Sequence, residues 1–219
     1  MTMKTVLLTG FEPFNGATVN PAWEAVRALD GWQEAAFQVV TRQLPCVFGL
    51  STRLLLDAIE ECKPDVVIAV GQAGGRPDIT VERIAINIDD APIPDNDQWQ
   101  PLDATIVAAG PAAYFATLPI KAMVQAMRAR GVAASVSQTA GTFVCNHVFY
   151  GLMHFTHELP LIAGFIHVPF LPEQVQDRPG VAAMELVQIV DGLRAAVAVT
   201  VTAAVQGGPA TTRVGGATH

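Results

Sequence analysis

Apolar and polar positions along the chain alternate between two kinds of run. Short continuous apolar stretches recur at about 4–9, 37–43, 65–70, 82–88, 133–137 and 161–168, each bounded by Gly, Pro, Asp or Asn. Runs of that length without polar alternation read as strands buried on both faces. Between them lie longer segments with apolar residues at helical spacing, near 20–29, 47–62, 118–130, 145–156 and 181–204. The helix over 47–62 stops before Lys63 and Pro64, since the residue preceding proline is disfavoured in a helix. Strand and helix in regular alternation predict an α/β fold in a single domain, with a central twisted, mostly parallel sheet and helices on both faces. The catalytic domain is expected to span 1–205, and the unpatterned, Gly-rich segment 206–219 to be a flexible tail. A polar, proline-punctuated stretch over 89–111 is expected to be a long loop, of the kind that usually serves function.

Three segments carry the chemistry. In 137–151 (SQTAGTFVCNHVFYG), Cys145 stands where a Gly-containing loop gives way to a helix-like run. The unpaired N–H groups and positive dipole end of a helix stabilise a thiolate, so a lowered thiol pKa is expected there. In 161–171 (LIAGFIHVPFL), His167 lies near the end of a buried strand, where ligands of α/β proteins bind and where an imidazole needs a polar partner. Cysteine with a histidine base is the minimum set for a thiol acyl-transfer enzyme. The third segment, 71–88 (GQAGGRPDITVERIAINI), opens with glycines after a strand and continues into an alternation of Ile84, Ile86 and Ile88. Glu82 falls in register with those isoleucines. An inward carboxylate needs a partner, and orienting the imidazole supplies one.

The same segments give the chain a resemblance to the pyroglutamyl peptidase I, or pyrrolidone-carboxylate peptidase, family of cysteine peptidases. The resemblance runs from Thr5 to about residue 200. It rests on LTGFEPF at 8–14 with Asn20 and Pro21, the stretch 71–87, IPDN at 93–96, 138–151, and GFIHVPFLP at 164–172. It implies an omega peptidase that removes N-terminal pyroglutamate through a thioester acyl-enzyme, with a triad of Cys145, His167 and Glu82. It further implies that Phe11, Phe14 and Phe143 enclose the lactam ring, with Ile93 and Val144 as apolar walls and Gln72 as an edge contact. A homotetramer is implied as well. Cys46 stands where many members carry Thr, and Pro92 where several bacterial members carry Arg. The alternatives are a thiol amidase or acyl transferase acting on another small amide, and a dinucleotide-binding protein. The glycine spacing at 71–75 is not GxGxxG, and a strand rather than a helix follows it, which weighs against the second.

Composition narrows the partners. The chain has 219 residues, 51% of them hydrophobic, and thirteen Lys and Arg against twenty Asp and Glu give a net charge of −7. That balance disfavours nucleic acid and anionic membrane. No run reads as a membrane span and no signal peptide is evident at the start, so a cytoplasmic location is expected. Three widely spaced cysteines, Cys46, Cys62 and Cys145, argue against a disulfide framework or zinc site. His147, His154 and His157 lack the further ligands a metal would need, and neither metal nor cofactor is expected.

Overall fold

The computed structural model describes residues 3–206. In chain order the elements are β1 (Lys4–Phe11), α1 (Pro21–Arg27), β2 (Gln33–Glu34), β3 (Phe37–Leu44), α2 (Leu50–Cys62), β4 (Val66–Gln72), β5 (Ile79–Glu82), β6 (Ile84–Ile86), β7 (Ala113–Phe115), α3 (Ile120–Ala129), β8 (Ala134–Ser137), α4 (Val144–Thr156), β9 (Ile162–Val168), a 3-10 turn (Pro172–Gln174) and α5 (Leu186–Gln206). Seven strands form one sheet in the order β2-β3-β1-β4-β9-β5-β8, and β6 pairs with β7 in a separate hairpin-like ribbon. Strands β3, β1, β4 and β9 are mutually parallel, whereas β5 runs antiparallel to β9 and parallel to β8.

Both faces of the sheet are covered, which is why its strands are apolar at consecutive positions. Val6, Leu8, Ile68, Val70, Ile79, Val81 and Ile166 pack with α1, α3 and α5. Their sequence neighbours Leu7, Val67, Ala69, Ala163 and Phe165 pack on the other side with α2 and α4. Alternate side chains of a strand point to opposite faces, so one sheet feeds two cores. Helix α1 is started by Asn20, whose side chain accepts from the Ala22 N–H at 3.0 Å, with Pro21 at the first helical position. It lies so close to β1 that a Cβ on Gly10 would come within 2.8 Å of the Trp23 backbone, a contact only glycine allows.

Several expectations need correction. The single strand over 82–88 is two strands, β5 and β6, which belong to different sheets and break at Arg83. Residues 181–185 do not open the last helix, because Met184 donates its N–H to the Phe170 carbonyl at 2.8 Å and Ala183 bridges Phe170. The segment Leu186–Val205 of α5 is long and apolar enough to cross a membrane, with mean hydropathy 1.5. Asp191 and Arg194 interrupt its apolar run, so no unbroken apolar stretch of that length stands in the sequence. Here the helix lays Ile189, Leu193, Ala196, Val197 and Val201 into the core. The expected tail falls almost wholly on 207–219, outside the described residues.

The stretch 89–111 is pinned at both ends of its turn. Buried Asp95 accepts backbone N–H bonds from Phe48, Asp97 and Trp99 at 2.9–3.0 Å. Asn96 donates its side-chain amide to Glu12 Oε1 at 2.8 Å, and the same oxygen accepts the Cys46 N–H at 3.1 Å. This ties the loop to the chain after β1 and to the chain after β3, fixing three walls of one cavity relative to each other.

Candidate active site

The site forms where β4, β5 and β9 lie side by side. His167 on β9 is in register with Gly71 on parallel β4 and with Thr80 on antiparallel β5. Glu82 lies two residues beyond Thr80 and shares its face, which makes it a diagonal neighbour of His167 within reach of a hydrogen bond. Glu82 Oε1 accepts from His167 Nδ1 at 2.8 Å, and both residues are buried. With Nδ1–H committed to the carboxylate, the other ring nitrogen is left as the base. Arg76 adds a second donor to the same oxygen, Nη1 to Oε1 at 2.6 Å, while also donating to Thr80 Oγ1 at 2.6 Å and the Thr139 carbonyl at 3.0 Å. Burial pushes the Glu82 carboxyl up. The hydrogen bond and charge of His167, helped by Ser137 and the Arg76 guanidinium, more than offset this and hold it below its ordinary value. Glu82 is therefore an anion.

Cys145 sits in the first turn of α4, after Phe143 in extended conformation at the N-cap. Its sulfur rests against Gly71: a Cβ there would lie 2.8 Å from Sγ and 2.9 Å from Phe165 Cζ. Gly71 is the register partner of His167, so the missing side chain opens the space beside the imidazole for the thiol. The expected lowering of the thiol pKa does not occur. Burial, joined by the Glu82 charge, pushes the Cys145 thiol up to about 12, with Arg76 and a backbone hydrogen bond only partly countering them. Desolvation is the largest influence on this thiol, which favours making the nucleophile by handing its proton to His167 rather than to water.

Cys145 and His167 line a cavity of about 520 Å³ together with Phe11, Phe14, Phe143, Gln72 and Arg76. The rings of Phe14 and Phe143 face each other at 6.0 Å, and Phe48 braces Phe143 edge-on at 5.4 Å. Phe11 is the last residue of β1 and is buried against Phe165. Of the two further walls expected, neither lines this cavity. Val144 is fully buried in the core because its neighbour Cys145 takes the cavity-facing position, and Pro92 lines the cavity where Ile93, half-buried, does not. Cys46 also lines it, and burial pushes its thiol far up, with the Cys145 charge adding to the effect.

A family model for pyroglutamyl peptidase matches residues 4–203. The chain belongs to the pyroglutamyl peptidase family. The pyrrolidone-carboxylate peptidase of Cupriavidus necator is 61% identical over 199 residues, covering 90% of this chain and 92% of the relative. That of an Enterobacter species is 56% identical over 218 residues, covering 99% and 100%. Among solved structures, pyrrolidone carboxyl peptidase from Thermococcus litoralis superposes with a TM-score of 0.94 at 39% identity, covering 97% of this chain and all of that one. Pyroglutamyl peptidase I from Bacillus amyloliquefaciens gives 0.89 at 47% identity, covering 91% and 96%. The family thus accounts for the whole α/β domain.

Within this pyroglutamyl peptidase fold, the other histidines among the described residues have other employment. His147 Nδ1 is 2.7 Å from Asp89 Oδ2 and its Nε2 accepts the Gly49 N–H at 3.0 Å, so one nitrogen ties α4 to the stretch 89–111 and the other to the start of α2. His154 pairs with the Tyr114 hydroxyl at 2.8 Å, and His157 with the His154 carbonyl at 2.6 Å. Among the described residues no group of three or more His, Cys, Asp or Glu is arranged to hold a metal ion. The sequence does not give the roles of three contributors. Arg76 carries no signal there, and the glycines that open 71–88 point to a tight turn and a close backbone approach without tying Gly71 to the thiol. Buried Asn146 is a third: it accepts from the Ile86 N–H and donates to the Ile86 and Ile88 carbonyls, anchoring β6 to the residue after the thiol.

Proposed function

We propose that this chain is a cysteine exopeptidase that releases pyroglutamate from peptide N-termini, with Cys145 as nucleophile, His167 as acid and base, and Glu82 as the group that orients and charges the imidazole. The observation that carries this reading is the 2.8 Å contact of Glu82 Oε1 with His167 Nδ1, beside a thiol seated on Gly71, in an aromatic-walled cavity. The Cys145 proton passes to His167 as sulfur attacks the carbonyl carbon joining pyroglutamate to the next residue. Unpaired N–H groups in the first turn of α4 stabilise the oxyanion. His167 then protonates the departing amine, the C–N bond breaks, and a thioester remains. Water, deprotonated by His167, attacks the thioester, giving pyroglutamate and the free thiol. No step calls for a cofactor.

Selectivity follows from charge. An ordinary N-terminus presents a protonated amine, which the enclosure of Phe11, Phe14 and Phe143 disfavours by desolvation, whereas the lactam presents a neutral N–H and two methylenes. Gln72, at the cavity edge, contributes the backbone contact to the ring. The reading extends to a cytoplasmic homotetramer. Three free cysteines suit a reducing compartment, and exposed Trp99, Leu102 and Phe115 are apolar surface that subunit contact would cover. Hydrolysis of pyroglutamyl-aminomethylcoumarin beside prolyl and glutaminyl analogues tests the activity. Turnover of the unblocked analogues without the pyroglutamyl substrate overturns it, and light scattering on the eluting protein tests the tetramer.

A further inference from the structure

A second cavity, of about 690 Å³, adjoins the one that holds Cys145 and shares Phe14, Gln72 and Gly74 with it as walls. The five-membered lactam needs only the first. We propose that the second cavity receives the peptide segment that follows the scissile bond, and that Arg178 and Glu173 at its rim set the preference for charge in that segment; this rests on the pyroglutamyl peptidase reading above. Direction supports it. His167 must deliver its proton to the departing amine, and three residues beyond His167 the same chain places Phe170 in the wall of the second cavity. The leaving group is thereby drawn to the side where the acid stands.

The wall is built rather than incidental. A Cβ on Gly74 would sit 2.0 Å from Phe170 Cζ, so only glycine lets the ring close on the backbone between the two cavities. The Arg178 guanidinium lies 4.5 Å over the Phe170 ring and donates from Nη2 to the Gln174 carbonyl at 2.5 Å, and the two contacts hold the cation in one place at the rim. Gln174 locks the junction: its Nε2 donates to Gln72 Oε1 at 2.9 Å and to the Val19 carbonyl at 3.3 Å, and its Oε1 accepts the Leu171 N–H at 2.9 Å. A peptide leaving the first cavity past Gln72 meets an apolar surface of Phe14, Val19 and Phe170, then the Arg178 cation and the Glu173 carboxylate. Extended peptide with mixed side chains fits such a lining.

The test compares pyroglutamyl-aspartyl and pyroglutamyl-lysyl amides, with pyroglutamyl-aminomethylcoumarin as the substrate that carries no charged residue after the bond. In Arg178→Glu the kcat/KM ratio of the aspartyl to the lysyl substrate should fall at least fivefold at low salt. The change should shrink as salt is raised, because the rim is solvent-exposed and screened. The coumarin substrate should move less than twofold, since neither rim residue touches the triad. Glu173→Lys should move the ratio the opposite way. If both variants leave the aspartyl to lysyl ratio unchanged while hydrolysing the coumarin normally, the segment leaves by another route and the proposal falls. If the wild type cleaves no pyroglutamyl substrate at all, the failure lies with the activity and not with the second cavity.

Discussion

Replacing Arg76 by methionine removes the cation from Glu82 while keeping most of the apolar stem. Arg76 and Glu82 form an ion pair with N to O at 2.6 Å, the carboxylate fully buried and the guanidinium side chain 29% exposed. Breaking a fully buried pair from one side costs about 3–5 kcal/mol. The partial exposure of Arg76 lets water reach the gap, and His167 remains on the same oxygen, so a loss of ~1–3 kcal/mol is the better estimate after screening. For a domain of this size each kcal/mol shifts Tm by about 2–4 °C, so the variant should melt roughly 3–10 °C lower at pH 7. The sign with pH follows from the direction of the shift. Glu82 is held below its ordinary value, so its contribution is present above the unfolded carboxyl value of about 4.3 and is lost as pH falls through the folded one. The Tm gap between wild type and Arg76→Met should therefore be widest near neutrality and close in acid. The acid limb of kcat/KM should move to higher pH, because burial then acts on Glu82 with less opposition. Scanning calorimetry from pH 3 to 8 with a parallel pH-rate profile measures both. Equal Tm values across that range, with superimposable acid limbs, would refute the claim that Arg76 helps His167 hold Glu82 ionised.

Three further outcomes are expected. In His167→Ala the Cys145 thiol has lost the group that takes its proton, so its alkylation by iodoacetamide at pH 7 should slow at least ~10-fold and keep rising with pH toward the value of about 12 at which burial holds it; mass mapping that finds Cys145 alkylated at the wild-type rate would show that the thiolate does not depend on His167. Gly71→Ala pushes a methyl into Sγ and Phe165, and should cost about 1–3 kcal/mol of stability with a fall in kcat larger than any change in KM; undiminished kcat would place the sulfur elsewhere in solution. Phe14→Ala should lower kcat/KM for pyroglutamyl substrates by less than the ~3–5 kcal/mol of a fully buried phenylalanine, since Phe14 is half-buried, and normal turnover would leave that ring as packing only.

The sheet was largely legible because strands buried on both faces announce themselves as apolar runs between turn residues. Direction was not: the hydrophobic pattern of Ile79–Glu82 is the same whichever way the strand runs, so antiparallel β5 left no mark on it. The inward placement of Glu82 was inferred from alternation with Ile84, and that continuity does not exist. Its true basis is Thr80, two residues earlier on β5, opposite His167. Pairings that bridge such distances in sequence are tertiary facts. Cys145 was found from its place at a helix start, but whether dipole or desolvation governs its proton depends on how deep the first turn lies, which no local pattern encodes. Ile93 and Val144 are not among the residues that line the cavity, where Pro92 and Cys145 beside them are, and no local pattern distinguishes the members of either pair.

The insertion of β5 between β9 and β8 also sets an order of assembly. The contact of Glu82 with His167 closes a span of 85 residues, and the loop that must be closed contains β6, β7, α3, β8 and α4. Closing a span of that length is among the slow, entropically opposed steps of folding. The parallel core of β3, β1 and β4 is drawn from the first third of the chain and can pair without it. Peptidase activity regained during refolding consequently reports the closure of this span, because the Glu82–His167 contact requires β5 and β9 to have paired.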